Sequence, residues 1–446
     1  MSGKSCSDQI SIMTFPGVSR VWIDITTSLR AGDQANGTTR VEQSLSRELA
    51  AVLGERLAFC RYGSTGFVAT PAPDFSQRAE SRPDTSGRAR RGPGASHLRA
   101  DRIDRRLERA IRRASKRILV RLLKNRRANP FPGAAAGDLL LMAGENWNPR
   151  YDYDLLRSLR RHSGLRIVAL CQDLIPITDP QFFDSAEFVS RYRAYVDFLL
   201  RDTDLILAIS KATATELEKL KRAQGLQTII ETIRLGSDVE APTSILAPLT
   251  APELVRHPFV LSVSSIQARK NFDLLYRVWK RFAECKPPGF PKLVIVGQRG
   301  FGSDDLLWQI AHDPAVKDRI VVLQRVSDAE LVWLYTNCSF TAYPSFAEGW
   351  GLPITESLSY GKFCVASDKT AMPEAGQGLC IHLDPLDVMS WYKCIEKLIE
   401  NESELREHER SVRARYKPWS WKDSAQQIAN VLATFRADTK TLELVH

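Results

Sequence analysis

The chain has 446 residues, 43% hydrophobic and 26% charged, which suits two or three globular domains and excludes a disordered chain, a coiled coil or a collagen-like repeat. Lys and Arg exceed Asp and Glu by 62 to 52, a net charge of +10. There is no apolar run of about 18 residues and no apolar signal core near the start, so neither a transmembrane helix nor export is expected, and the eight scattered cysteines lack a Cys-x-x-Cys pair, which argues for a reducing compartment and against a zinc site or disulfide framework.

Arg20–Thr26 alternates as a strand, a loop follows over Arg30–Thr39, and Val41–Leu53 reads as a helix, the strand–loop–helix opening of an α/β domain. Leu57–Tyr62 and Gly66–Ala69 are short strand candidates. The positive charge is then concentrated: Arg82–Arg127 holds 17 Lys/Arg against 4 Asp/Glu. Within it Leu98, Ile103, Leu107, Ile111, Ala114, Ile118 and Leu122 form one apolar stripe of a helix over 98–127. A basic amphipathic helix reads first as a membrane-surface element, with each cation near an anionic leaflet contributing about 1 kcal/mol. A helix packed on its own domain, its arginines solvated, is the alternative. Nucleic acid is not an expected partner, since the segment has no aromatic residue on which a base could stack.

Strands resume at Asp138–Met142, Leu165–Cys171 and Asp204–Ile209, a helix capped by Ser210 runs to Leu220, and Thr228–Ile233 is a further strand. Glu240–Pro258, with four prolines, reads as a linker. The second half repeats the alternation. Strands are expected at Phe259–Ser264, Lys292–Val296, Ile320–Leu323, Ser339–Tyr343 and Phe363–Ala366. Helices are expected at Asp273–Glu284, Asp304–Ala311, Asp328–Asn337 and Pro353–Tyr360, then one long C-terminal helix and a last one over Trp419–Phe435. The fold class is therefore α/β, with two Rossmann-like domains facing a cleft and ligands outside the carboxyl ends of the strands. The expected domains are 1–240, with a basic insertion over about 71–135; a linker at 241–257; a second domain at 258–418; and a helix at 419–446 packing back on the first domain.

The most informative stretch is Tyr343–Gly361, a strand end, a glycine-bearing loop and a helix start. Pro353 suits a first helical turn and Gly361 a left-handed cap. Gly349 and Gly351 allow close backbone approach, and the amides of Gly351 and Leu352 would face an anion at the helix N-terminus. Glu348 and Glu356 flank the glycines. Carboxylates repel phosphate, so their natural partners are vicinal hydroxyls of a ribose or hexose; two surface glutamates on a capped helix is the plainer reading. At another strand end stand Arg269, Lys270 and Asn271. The two cations suit a diphosphate and Asn271 suits a helix N-cap. Gly297–Gly302 lies at a third strand end, but its spacing is wrong for a dinucleotide fingerprint, so a tight loop is expected. Asp152-Tyr-Asp154 and Asp202-Thr-Asp204 read as caps and turns, and no metal is expected.

With Gly-Trp350-Gly-Leu-Pro between Glu348 and Glu356, the Glu-x7-Glu pattern resembles the retaining glycosyltransferases of family 4, which have the GT-B fold. Arg269-Lys270-Asn271 is similar to that family's diphosphate loop, the Val326-Ser-Asp-Ala-Glu-Leu segment to the one whose backbone meets the nucleobase, and Gly37-Thr-Thr-Arg-Val to the glycine loop near the sugar. Ile209-Ser210-Lys, Arg234-Leu-Gly-Ser-Asp238, Gly361-Lys-Phe-Cys-Val-Ala-Ser and Ala371-Met-Pro-Glu374 fit as well. The resemblance covers nearly all but residues 70–135.

It implies that Glu348 contacts the transferred sugar, Glu356 the ribose, and Arg269 and Lys270 the leaving diphosphate, with retention of configuration and no covalent nucleophile. Where the family often has His-Asp, this chain has Gln172-Asp173. Gln172 can hydrogen-bond a hydroxyl but cannot titrate; Asp173 either orients the acceptor or caps a turn. The forms look most like bacterial mannosyltransferases of polysaccharide assembly. The resemblance thus implies a nucleotide-diphosphate-sugar donor, GDP-mannose foremost and UDP-sugars or dTDP-rhamnose open, and a lipid-linked or surface-glycan acceptor. No cofactor is implied, and the expected location is cytoplasmic, on the inner face of the membrane. The readings set against it are an epimerase of the same fold, for which no acid–base pair is found, and an inactive scaffold, against which the intact Glu348, Glu356, Arg269 and Lys270 argue.

Overall fold

The computed structural model describes residues 20–435 apart from 32–36, 64–65, 74–130, 132, 239–244 and 286–289. The helix expected over 98–127 and most of the expected insertion lie outside the described residues.

The first domain is a seven-stranded sheet in the order β3-β2-β1-β4-β5-β6-β7. Its strands are β1 (Val21–Asp24), β2 (Leu57–Tyr62), β3 (Phe67–Thr70), β4 (Leu139–Met142), β5 (Arg166–Cys171), β6 (Leu205–Ala208) and β7 (Ile229–Thr232). All pairs are parallel except β2 with β3 at the edge. The central strands β1, β4 and β6 are buried along their whole length. Their side chains meet apolar layers on both faces, so the sequence runs apolar instead of alternating. The helices are α1 (Thr26–Ala31), α2 (Gly37–Leu53), α3 (Tyr153–Ser163), α4 (Ile175–Thr178), α5 (Ala186–Asp202) and α6 (Lys211–Ala223).

The second domain is a six-stranded sheet in the order β10-β9-β8-β11-β12-β13, parallel throughout. It contains β8 (Phe259–Val263), α7 (Phe272–Cys285), β9 (Lys292–Val296), α8 (Asp304–His312), β10 (Ile320–Leu323), α9 (Asp328–Asn337), β11 (Thr341–Tyr343), α10 (Leu352–Ser359), β12 (Cys364–Ser367), α11 (Met372–Gly376), β13 (Ile381–Leu383), α12 (Val388–Glu400) and α13 (Glu402–Arg415), and the last helix, α14 (Trp421–Thr434), follows it. Strand order reverses between β1 and β4 in one sheet and between β8 and β11 in the other. In open parallel sheets such switch points are where a crevice opens for ligand.

Two local expectations are corrected. The strand expected to reach Thr26 stops at Asp24, because Asp24 Oδ1 accepts from the Thr26 amide at 3.1 Å and the Thr26 hydroxyl at 2.5 Å. Those bonds turn the chain into α1, where a strand end and a loop were expected. The single long C-terminal helix is several elements, and Asn401 divides α12 from α13 by capping the latter at the Glu404 amide. Within the expected linker, Pro252–Val255 forms a 3-10 turn with Leu254 buried.

Two chain crossings join the domains, one leaving β7 and one entering α14. They are tied side by side. The Ser237 amide donates to the Trp419 carbonyl at 3.0 Å, and the Trp421 amide to Asp238 Oδ1 at 2.7 Å. The Arg234 guanidinium lies 5.3 Å from the Trp419 ring centroid. A Cβ at Gly236 would overlap the Trp421 backbone, so only glycine allows this approach. Beyond the crossing, α14 packs along α2, and Trp421, Ile428 and Leu432 share a core with Val41, Leu45 and Leu49.

Candidate active site

The loop after β8 is built by its neighbour. The Ile266 amide donates to the Gln298 carbonyl at 2.7 Å, the Gly300 amide to Ile266 at 2.9 Å, and the Ala268 amide to Phe301 at 3.0 Å. The tight glycine loop after β9 is thus a brace. Gly297 is required there, since a Cβ would overlap the Ser264 carbonyl. Ala268–Lys270 then makes one 3-10 turn, ended by Asn271 in the left-handed region at φ 56°. This corrects the helix-cap expectation. At that φ the Asn271 side chain turns away from α7, and its Nδ2 donates to the carbonyls of Pro344 at 3.1 Å and Pro385 at 2.8 Å. With the Phe346 amide donating to the Arg269 carbonyl, these bonds lock the β8 and β11 loops together.

Arg269, Lys270 and Glu348 meet at that junction. Glu348, 9% exposed, is ion-paired with Arg269 Nη1 at 2.9 Å and accepts from Lys270 Nζ at 2.6 Å, the Ser345 hydroxyl at 2.6 Å and the Tyr343 hydroxyl at 2.9 Å. Arg269 Nη1 also donates to the Ala347 carbonyl. Burial alone would raise the Glu348 carboxyl, but the two adjacent cations outweigh it and hold it well below the usual range. One carboxylate cannot neutralise two cations. Burial and the Arg269 charge bring the Lys270 ammonium down to about 8 against the pull of Glu348. The three residues are therefore a buried site with a surplus of positive charge.

Across the cleft, Asp173 follows β5 in the first domain. Burial raises its pKa, opposed by Arg269. Its Oδ1 accepts from the Ile175 amide at 3.0 Å, so it caps the start of α4, while Arg269, Lys270 and Glu348 all act on it electrostatically. The turn-capping role and a place at the cleft coexist. Gln172 is committed within its own domain: Oε1 accepts from the Thr38 hydroxyl at 2.9 Å and Nε2 donates to the Ala143 carbonyl at 3.4 Å. It fixes the first turn of α2, which Gly37 opens; nothing stands within 4 Å of a Cβ placed at Gly37. Gly349 lies against the Gln172 carbonyl, and Phe346 stacks on Phe182 of the first domain with centroids 5.4 Å apart.

Glu356 sits inside α10, one helix turn past Leu352, with 4% of its side chain exposed. Its Oε2 accepts from the Tyr335 hydroxyl at 2.8 Å and its Oε1 from Arg40 Nη1 at 2.6 Å. Arg40 belongs to α2 of the first domain. Sequence reasoning placed it within the Gly37 segment but gave it no role; its position three residues after the glycine, on the first turn of a helix at the cleft, was the available signal. Gly351 precedes α10 at φ 117°, a backbone that suits glycine. Trp350 is buried in the core, its indole Nε1 without a partner among the described residues. Val326 is half-buried and packs on the second-domain core just before Ser327, which caps α9 in a reciprocal pair with Glu330. The two Asp-x-Asp triplets are structural: Asp152 caps α3, Asp202 pairs with Arg157, and Asp204 holds Arg160 and the Ile167 amide. Among the described residues no three His, Cys, Asp or Glu side chains are grouped to hold a metal.

Residues 252–415 match the family described as glycosyl transferases group 1. The O-antigen chain mannosyltransferase B of Escherichia coli is 28% identical over 233 residues, 52% of this chain and 61% of that protein. The serotype-specific mannosyltransferase WbdA of Escherichia coli is 22% identical over 264 residues, 58% of this chain and 32% of that protein. The chain therefore spans less than two thirds of the length of these curated relatives. Anabaena HepE in complex with UDP-glucose superposes with a TM-score of 0.59 at 16% identity, over 93% of this chain and 100% of that structure. The second domain is thus a group 1, family 4-like glycosyltransferase domain, and the two sheets together make the GT-B fold. No helix among the described residues is long and apolar enough to cross a membrane.

Proposed function

We propose that this chain, with a group 1 glycosyltransferase domain in a GT-B frame, is a retaining glycosyltransferase. It moves a hexose from a nucleotide-diphosphate sugar to a lipid-linked or surface-glycan acceptor. The observation that carries the reading is the Arg269–Lys270–Glu348 cluster: a buried lysine and a largely buried arginine sharing one carboxylate, at the carboxyl ends of β8 and β11, facing the other domain.

In this reading Arg269 and Lys270 receive the diphosphate and stabilise the charge that grows on it as the glycosidic bond breaks. The cations are already placed and largely desolvated, so little reorganisation opposes that step. Glu348 accepts hydroxyls of the transferred sugar, with Gly351, Leu352 and Trp350 lining the same loop. Glu356 accepts the ribose hydroxyls and the Val326 segment meets the base. Gln172 and Gly37 shape the wall near the sugar, and Asp173 orients the acceptor from the first domain. The leaving diphosphate departs on the face where the acceptor hydroxyl arrives, and its own oxygen takes the proton, so no protein nucleophile, cofactor or metal is invoked. Mannose from GDP-mannose is the favoured donor, supported by the relatives named as mannosyltransferases; UDP-sugars and dTDP-rhamnose are the alternatives. A seat on the inner face of the cytoplasmic membrane is proposed from the +13 charge of Arg82–Arg127.

The test is thermal stabilisation by GDP, UDP, dTDP, ADP and CMP without metal. A ligand at 100 times its Kd adds about 2.7 kcal/mol. A shift with one diphosphate names the donor class, to be followed by transfer assays with its sugars; no shift with any of them overturns the reading.

A further inference from the structure

Arg40 stands on α2 of the first domain, yet its guanidinium belongs to the second domain's site. Nη1 donates to Glu356 Oε1 at 2.6 Å; Nη2 is buried and has no hydrogen-bond partner among the described residues. A buried guanidinium N–H left unpaired is costly, so one at a cleft wall points to a ligand oxygen. Glu356 is not exhausted by its neighbours. Arg40 uses one lone pair of Oε1 and Tyr335 one of Oε2, which leaves each oxygen able to accept again. A hydroxyl that donates to Glu356 is at the same time an acceptor beside Nη2. Neither element needs the pair for its own fold, because α2 is held by its apolar face and α14. The pair exists only when the domains stand this close.

We infer that Arg40 is a donor-positioning residue supplied by the first domain. It holds Glu356 in the orientation that receives a ribose hydroxyl, and its Nη2 donates to that same hydroxyl, so a nucleoside diphosphate is gripped from both domains at once. Binding then favours the closed arrangement, because only that arrangement offers both contacts. The inference rests on the reading of Glu356 as the ribose ligand.

The test uses the full chain and whichever of GDP, UDP and ADP binds the unaltered protein most tightly, compared by calorimetric titration with its 2′,3′-dideoxy counterpart. The unaltered protein should prefer the ribose form. Arg40→Ala should weaken the ribose form about tenfold, the scale of one hydrogen bond to a charged group. The dideoxy form should change far less, so the preference collapses. Arg40→Lys keeps the charge without the planar fork and should recover part of the affinity but not the preference. Arg40→Gln, which keeps an amide NH2 donor without the charge, serves as the second variant if the alanine form does not fold. An unchanged ratio of ribose to dideoxy affinity in the Arg40 variants, whatever their absolute affinities, overturns the inference alone. An unaltered protein that binds no nucleoside diphosphate overturns the function reading, and the inference with it.

Discussion

Gly349 of the second domain lies so close to Gln172 of the first that an added Cβ would overlap the Gln172 carbonyl oxygen and stand 3.0 Å from the Asp173 Cβ. The glycine therefore serves domain contact. Gly349→Ala should hold the cleft open while leaving each domain intact. Overpacking at a rigid backbone contact costs about 1–3 kcal/mol, here drawn from closure. The expected result is a loss of roughly tenfold or more in transferase kcat/KM with little change in the melting temperature. A variant with unaltered kcat/KM would show that catalysis does not need this contact.

Lys270 predicts a pH limb. Burial, then the Arg269 charge, bring its ammonium down to about 8. The protonated form is the one that binds diphosphate, so kcat/KM, which reports the free protein, should fall as pH rises through about 8. A bound diphosphate favours the charged ammonium, which moves the limb of kcat to higher pH. Lys270→Arg should abolish the limb, since a guanidinium stays charged throughout. A limb that persists in that variant belongs to another group.

Glu42 predicts a stability slope. It is fully buried beside Asp24, and burial, then the Asp24 charge, push its carboxyl from 4.5 up to about 8. Between those values the folded chain keeps a proton that the unfolded chain releases. Stability therefore falls as pH rises from about 4.5 to about 8, and the slope ends above that. Glu42→Gln imitates the protonated carboxyl and still accepts from the Ser28 amide and hydroxyl, both 2.6 Å from Oε1 in the parent. Urea midpoints at pH 5, 6.5 and 8 should show this part of the slope gone. An identical slope in the variant would place the titration elsewhere.

Leu432 tests the last helix. It is fully buried where α14 lies on α2. Leu432→Ala should destabilise by about 2–5 kcal/mol, the range for truncating a buried leucine. Hydrogen exchange should quicken in α2 (Gly37–Leu53), at the other end of the sequence but adjacent in space. Unchanged protection of α2 would show that the helix adds no stability to the first domain.

The strands were legible because buried parallel strands run apolar between turn residues, and β1, β4 and β6 do so. The meeting of Arg269, Lys270 and Glu348 was legible too, since both loops leave the carboxyl ends of strands in one sheet. How they meet was not. Spacing says nothing of a carboxylate gripped by both cations, nor of Asn271 in the left-handed region, which follows from the carbonyls of Pro344 and Pro385. The α1 helix went unseen because a single Asp24 side chain redirects the chain. Arg40 and Glu356 stand 316 residues apart in different domains, so no local pattern in either segment encodes their contact.

The two crossings pinned together at Ser237–Trp419 and Asp238–Trp421 act as one hinge with a narrow axis. Two separated tethers would permit sliding and twisting; two tethers bonded side by side leave rocking about their common line as the soft motion. Phe182–Phe346, Gly349–Gln172 and Arg40–Glu356 each join one domain to the other, so rocking the domains apart releases them together. A substrate held at one of these contacts therefore favours the others as well.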